Sequence, residues 1–146
     1  MTVTSLHRRG ETPVTAERPL PQLRGEEKQY YADLGEHRLP YYQCETCDGV
    51  YARPQEFCPA CGHGVQRKWS SGEGTVYSVT IQQRAGHPYF ADAVPYTIAL
   101  VDFAEGFRTL ADLNTDTDPP HIGQRVRVEF EDVTDDMTLA HFVAVP

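Results

Sequence analysis

From Trp69 to the C-terminus, short runs of alternating apolar and polar residues are separated by turn residues, the mark of half-buried β-strands. "GTVYSVTIQQ" (74–83) alternates, "VPYTIALVDF" (94–103) is a longer apolar run, and Glu105–Gly106 turns the chain into "FRTLADL" (107–113). "GQRVRVEFED" (123–132) sets Val126, Val128 and Phe130 on one face against Arg125, Arg127, Glu129 and Glu131 on the other. "TDDMT" then leads into a last strand, "LAHFVAVP" (139–146). Five strands in so short a segment predict a five-stranded OB-fold barrel over 69–146, with a small sandwich as the alternative.

Upstream the pattern changes. "RGEEKQYYADLGEHRL" has two acids near its start, Tyr30, Tyr31 and Leu34 at helical spacing and Gly35 as a stop, which predicts one helix within 23–37. Two tyrosines on so short a helix either cap the module that follows or face another protein. Residues 1–22 mix Pro, Thr, Arg and Glu without periodicity and read as an arm, flexible or held by a partner. In 38–68, "LPYYQC" and "GVYARP" read as short strands. The predicted class is therefore mostly β: an N-terminal helix, a small ribbon and a barrel.

Charge narrows the partners. Of the 146 residues, 1–37 carry six acids and five bases, 38–68 three acids and four bases, and 69–146 twelve acids against four bases. A net charge of -8 concentrated in the barrel repels a phosphate backbone, so nucleic acid is not the expected partner, although barrels and ribbons of this kind often bind it. No apolar run is long enough to cross a bilayer, so no membrane partner is expected. "MTVTSLHRRGETPVTAERP" lacks the apolar centre of a secretory signal, and a cytoplasmic location is expected.

All four cysteines fall in "CETCDGVYARPQEFCPACG", two C-x-x-C pairs with ten residues between them. In a reducing compartment such pairs hold metal in preference to disulfides. Each C-x-x-C turn aims two sulfurs at one point, so Cys44, Cys47, Cys58 and Cys61 complete a tetrahedral thiolate shell. Gly49 and Gly62 are expected to let the backbone curl back towards the sulfurs. A shell closed by protein leaves no position for substrate, so the ion is structural. Zinc is expected, with iron of the rubredoxin kind as the alternative that spacing does not separate from it. A ribbon of about thirty residues has little core, so the ion must supply folding energy that packing does not. His63 follows the last knuckle and is expected at the surface rather than on the ion.

No catalytic constellation emerges. The cysteines are committed to metal, His87, His121 and His141 have no partner identifiable in sequence, and Asp135 and Asp136 sit in a turn where solvated carboxylates are ordinary.

The order of parts resembles a known family. A tyrosine-bearing helix, a four-cysteine ribbon, Ser-Gly-x-Gly at Ser71–Gly74, Val-Pro-Tyr at Val94–Tyr96 and the Glu105–Gly106 turn are similar to the acyl-CoA-associated family that joins a rubredoxin-like zinc ribbon to an OB-fold. The resemblance runs from about Tyr30 to Pro146 and departs at Tyr42–Gln43 and Arg53–Pro54, where the family often has Gln-Arg and Pro-Arg. It implies a non-catalytic accessory subunit beside an acyl-CoA enzyme, either thiolase-like (thiolase, acyltransferase or retro-aldolase, lipid and steroid side-chain metabolism included) or a hotdog-fold enoyl-CoA hydratase. Such a subunit would dock through Tyr30, Tyr31 and the loop holding Tyr89, Phe90 and Tyr96, a loop that could equally be an internally packed connection. If any part of the chain meets the coenzyme A phosphates of the partner's substrate, Arg38, Arg53, Arg67 and Lys68 suit that role chemically.

Overall fold

A computed structural model describes residues 16–115 and 119–146. Of the expected arm, residues 1–15 lie outside the described residues. In chain order the elements are α1 (Glu27–Gly35), β1 (Pro40–Cys44), β2 (Val50–Tyr51), β3 (Val65–Trp69), β4 (Glu73–Gln82), a 3-10 turn (Pro88–Phe90), β5 (Tyr96–Phe103), β6 (Arg108–Asn114), β7 (Arg125–Thr134) and β8 (Met137–Ala144).

The last five strands close into a barrel in the order β4-β5-β6-β8-β7, which makes the fold a mostly β protein with an OB-like barrel. Alternation sends Val76, Ala99, Val101, Phe103, Leu113, Val126 and Phe142 inward, where all are buried, and Phe107 joins them from the β5–β6 turn. The seam of the barrel is its parallel pair: β6 meets β8 only at Leu113↔Phe142 and Asn114↔Val143. Beyond these two registers the strands part, and α1 covers the gap, burying Leu34 against the barrel core.

Tyr30 and Tyr31 are spent on this closure. They pack edge to face, 5.3 Å between ring centroids, and line a groove with Leu34, Leu39, Ala111, Ala140 and Phe142. Within their own chain they pack against the barrel and not the ribbon, and both stay half-buried. Burial pushes the Tyr30 phenol up to about 12. The helix ends where Gly35 was expected to stop it. Gly35 is its last residue, and His37 takes the left-handed position (φ 55), its amide donating to the Leu34 carbonyl. His37 then stacks on Phe130 and hydrogen-bonds Asp132 at 3.1 Å, fixing the helix end to β7.

The expected arm is partly anchored. Arg18 reaches Glu131 on β7 at 3.0 Å and lies 5.9 Å from the Tyr89 ring centroid.

The ribbon is a three-stranded sheet in the order β2-β1-β3. β3 was not expected as a strand: Gln66, Arg67 and Lys68 give no apolar alternation, yet five registers from Pro40↔Trp69 to Cys44↔Val65 pair it with β1. Both faces of so small a sheet lie near solvent, so polar residues carry the strand.

Two features tie the ribbon to the barrel. Tyr41 of β1 stacks on Phe107 at 5.4 Å, and Phe107 stacks on Phe103 at 4.6 Å, a continuous aromatic column worth about 0.5–1.5 kcal/mol per contact beyond its burial. The other joins two sequence signatures. Glu105 of the Glu-Gly turn accepts from the Ser70 hydroxyl at 3.0 Å and from the Ser71 amide at 2.5 Å, at the start of Ser-Gly-x-Gly. Burial raises the Glu105 carboxyl, but the Ser71 and Ser70 donors outweigh it and leave its pKa below the ordinary value. With the folded pKa depressed, the stabilisation is complete above the unfolded value and fades as pH falls through the folded one. Glu105→Gln is expected to cost about 1 kcal/mol at pH 7 and progressively less as the pH drops below about 4, as measured by urea titration across pH.

Candidate metal centre

The two knuckles are built by backbone turns that only part of the sequence announces. Gly62 adopts φ 77 directly after the second pair, as expected. After the first pair the left-handed residue is Asp48 (φ 58), and Gly49 serves another purpose: a Cβ there would lie 2.5 Å from the Tyr51 hydroxyl. The amide of Cys44 donates to the Gly49 carbonyl, closing the first knuckle, and the amide of Gly62 donates to the Cys58 carbonyl, closing the second.

The four sulfurs lie within 4.8 Å of one another. Cys44 and Cys61 are 3.4 Å apart and Cys47 and Cys58 3.5 Å, far beyond the roughly 2.05 Å of a disulfide. Thiolates at about 2.3 Å from a tetrahedral ion stand roughly 3.8 Å from each other, so the donor set fits one such ion. Cys44 and Cys58 are buried, and Cys47 and Cys61 face outward.

Electrostatics lead to the same requirement. Amides of Cys47 and Thr46 point at the Cys44 sulfur, at 3.5 and 3.4 Å, and lower its pKa. The Tyr51 hydroxyl, 3.3 Å from Cys58, draws that thiol down to about 6. Cys61 moves to about 12: the His63 amide favours its thiolate, but burial and the neighbouring sulfurs outweigh it. Thiolates this close cannot all carry charge unless a cation sits among them. A divalent ion held by the four sulfurs would remove the conflict and, with all four positions taken by protein, would supply cross-linking and no chemistry on a substrate.

Tyr51, beside the shell, escaped sequence reasoning. His63 is exposed, and its Nδ1 lies 3.4 Å from the Cys61 sulfur, outside the four-sulfur set.

The remaining candidates are dispersed. Arg38 and Arg67 both lie over the Trp69 ring, at 4.2 and 5.1 Å. Arg67 also faces the buried Asp33 carboxylate at 3.5 Å, Arg38 contacts Glu36, and Lys68 donates to Gln43 at 2.8 Å. Arg53 borders a separate groove with Arg24 and Gln55. These four bases therefore do not converge on one anion site. In the aromatic loop Phe90 packs on Tyr89 at 5.0 Å and on Tyr96 at 6.0 Å, while no residue of the 3-10 turn is buried and Tyr89 keeps 42% of its surface exposed. His87 accepts from the Tyr89 amide, His121 contacts the Pro119 carbonyl, and His141 is 3.8 Å from Glu129. None of these histidines faces a nucleophile among the described residues. No helix among them is long and apolar enough to cross a membrane.

Residues 69–131 match the family model for the ChsH2 C-terminal OB-fold domain. Over 135 residues the chain is 30% identical to a probable enoyl-CoA hydratase alpha subunit of Thermomonospora curvata, covering 88% of this chain and 41% of that protein. The chain thus spans about two fifths of the length of that relative. A DUF35 domain-containing scaffold protein of Methanothermobacter thermautotrophicus is 29% identical over 104 residues, 68% of this chain and 77% of that one. Among solved structures, the Ltp2-ChsH2(DUF35) aldolase contains a chain that superposes with a TM-score of 0.74 at 27% identity, covering 86% of this chain and 98% of that chain. A DUF35-family protein of unknown function from Sulfolobus solfataricus shares the fold, with a TM-score of 0.54 at 18% identity over 69% of this chain and 75% of its own. With its helix, four-cysteine ribbon and closed barrel in that order, this chain is an OB-fold protein of the DUF35 family.

Proposed function

We propose that the chain is a non-catalytic, zinc-bearing accessory subunit that docks on an acyl-CoA enzyme of the thiolase superfamily, a retro-aldolase of lipid or steroid side chains being the best fit. The observation that carries this reading is the likeness to nearly the full length of a chain in an aldolase assembly. The relative described as a scaffold protein supports a role in assembly.

Such a subunit contributes by geometry. Seated beside the partner's active site, a rigid barrel walls the channel for the acyl or pantetheine arm, orienting the thioester and excluding water. The exposed Tyr89 and the outward side of the β4–β6 sheet, where Tyr77 (51% exposed) and Leu110 (60%) stand, are the docking candidates on this chain. Coenzyme A belongs to the partner in this reading, with Arg38, Arg53, Arg67 and Lys68 available at most as separate, peripheral contacts.

The hydratase relative favours a second reading, in which the partner is an enoyl-CoA hydratase. Co-expression separates them. With a thiolase-type enzyme from the same genome the chain is expected to purify as a fixed-ratio hetero-oligomer and to raise its turnover, while the chain alone turns over no acyl-CoA thioester. A stable complex with the hydratase only would select the second reading, and turnover by the isolated chain would overturn both.

A further inference from the structure

Tyr51 is placed by three constraints that packing alone does not require. It pairs with Tyr42 across β1–β2, and its hydroxyl points back to the Cys58 sulfur at 3.3 Å instead of out to water. Gly49 clears the path, since a Cβ at that position would stand 2.5 Å from the hydroxyl and 3.0 Å from the ring carbon that carries it. Cys58 is only 2% exposed, so its sulfur has little access to water.

We infer that Tyr51 is a positioning residue of the metal centre: its hydroxyl donates to the Cys58 sulfur, holds that ligand in place and withdraws charge from it, so that the bound ion is released slowly. The inference rests on the reading of the four cysteines as a metal site. Four thiolates around a divalent ion leave a net charge of about -2 on the site, which N–H and O–H donors must offset. Cys44 receives the amides of Thr46 and Cys47, and Cys58, beside the amides of Ala60 and Cys61, receives the Tyr51 hydroxyl as a further donor. Donors of this outer kind typically alter metal affinity by about 10–100-fold when removed.

The test is Tyr51→Phe in the full chain, which keeps the ring and removes the donor. Loaded with zinc, the variant is expected to lose metal to a competing chelator about 10–100-fold faster than the parent. Loaded with cobalt(II), its thiolate-to-metal charge-transfer band is expected at longer wavelength, because a sulfur without its donor holds its electrons less tightly. Gly49→Ala, which displaces the hydroxyl while leaving it present, is expected to shift both readouts in the same direction, and it decides the question should Tyr51→Phe fail to take up metal. A faster release with an unmoved cobalt band would mean that Tyr51 only packs, and would overturn the inference, as would two variants indistinguishable from the parent. Failure of the parent chain itself to bind cobalt would instead refute the metal reading.

Discussion

Removing the ion, by chelation or by Cys58→Ser, is expected to unravel residues 43–66 while the barrel stays folded. The ribbon has little else to hold it: in 38–68 the buried side chains are Leu39, Pro40, Tyr42, Cys44 and Cys58, and two of these belong to the candidate metal centre. A structural zinc contributes about 10–16 kcal/mol of apparent binding free energy, several times what this packing supplies. The unravelling should stop near the base of the ribbon, because Tyr41 remains stacked on Phe107 and Glu105 still holds Ser70 and Ser71. Hydrogen exchange read by mass spectrometry distinguishes the two parts: peptides covering the knuckles should lose protection wholly, and those covering β5 and β6 should keep it. Metal-free protein with protected knuckle amides would refute the claim that the ion folds the ribbon. Metal analysis of the same sample separates zinc from iron, the iron form being red.

What was legible in the sequence follows from how each element buries itself. The barrel strands have one wet and one dry face, so β4 to β8 write their alternation into the chain, and Val126 with its opposed arginines is found where the pattern puts it. The knuckles were legible because four cysteines at fixed spacing have few other uses. β3 was not, since a strand in a three-stranded ribbon can be Gln-Arg-Lys and still pair. Nor were the roles of Tyr30 and Tyr31, which depend on where the barrel seam opens, a property of pairing between β6 and β8 and not of any local run. The Glu105 clamp and the Tyr51–Cys58 contact join residues 34 and 7 positions apart, and both involve residue types common on surfaces. One clue was available: a conformationally free Gly49 and a tyrosine two residues on could have been read together as space and occupant.

Gly74→Ala is expected to destabilise the barrel by about 3 kcal/mol or more, at or beyond the upper end of what overpacking ordinarily costs. Gly74 lies where β4 pairs on both sides, with Phe103 of β5 and Val126 of β7. A Cβ there would stand 2.5 Å from a Val101 methyl and 2.8 Å from the Asp102 carbonyl oxygen. Neither neighbour can yield cheaply. Val101 is fully buried, and the Asp102 backbone is held by its register with Thr75 and Arg108 and by the carboxylate's pair with Arg108 at 2.6 Å. For a chain of this length the loss corresponds to a fall in Tm of roughly 10 °C. Two glycine controls separate this cause from a general intolerance of alanine. Gly64 has no heavy atom within 4 Å of a built Cβ and an ordinary φ, so Gly64→Ala should stay within about 0.5 kcal/mol of the parent. Gly35, in the last turn of α1, would meet only the Thr138 hydroxyl at 3.9 Å, so Gly35→Ala should stabilise by about 0.5–1 kcal/mol. A Gly74→Ala protein as stable as Gly64→Ala would refute the packing described at the β4–β5 junction. That junction stands next to Gly72, whose own Cβ would meet Val128 at 2.7 Å, and to the Glu105 clamp, so the Ser-Gly-x-Gly and Glu-Gly signatures together set how the ribbon stands on the barrel. If the chain is the accessory subunit proposed above, its docking depends on that angle, and Gly74→Ala should weaken the proposed hetero-oligomer at temperatures where the variant barrel is still folded.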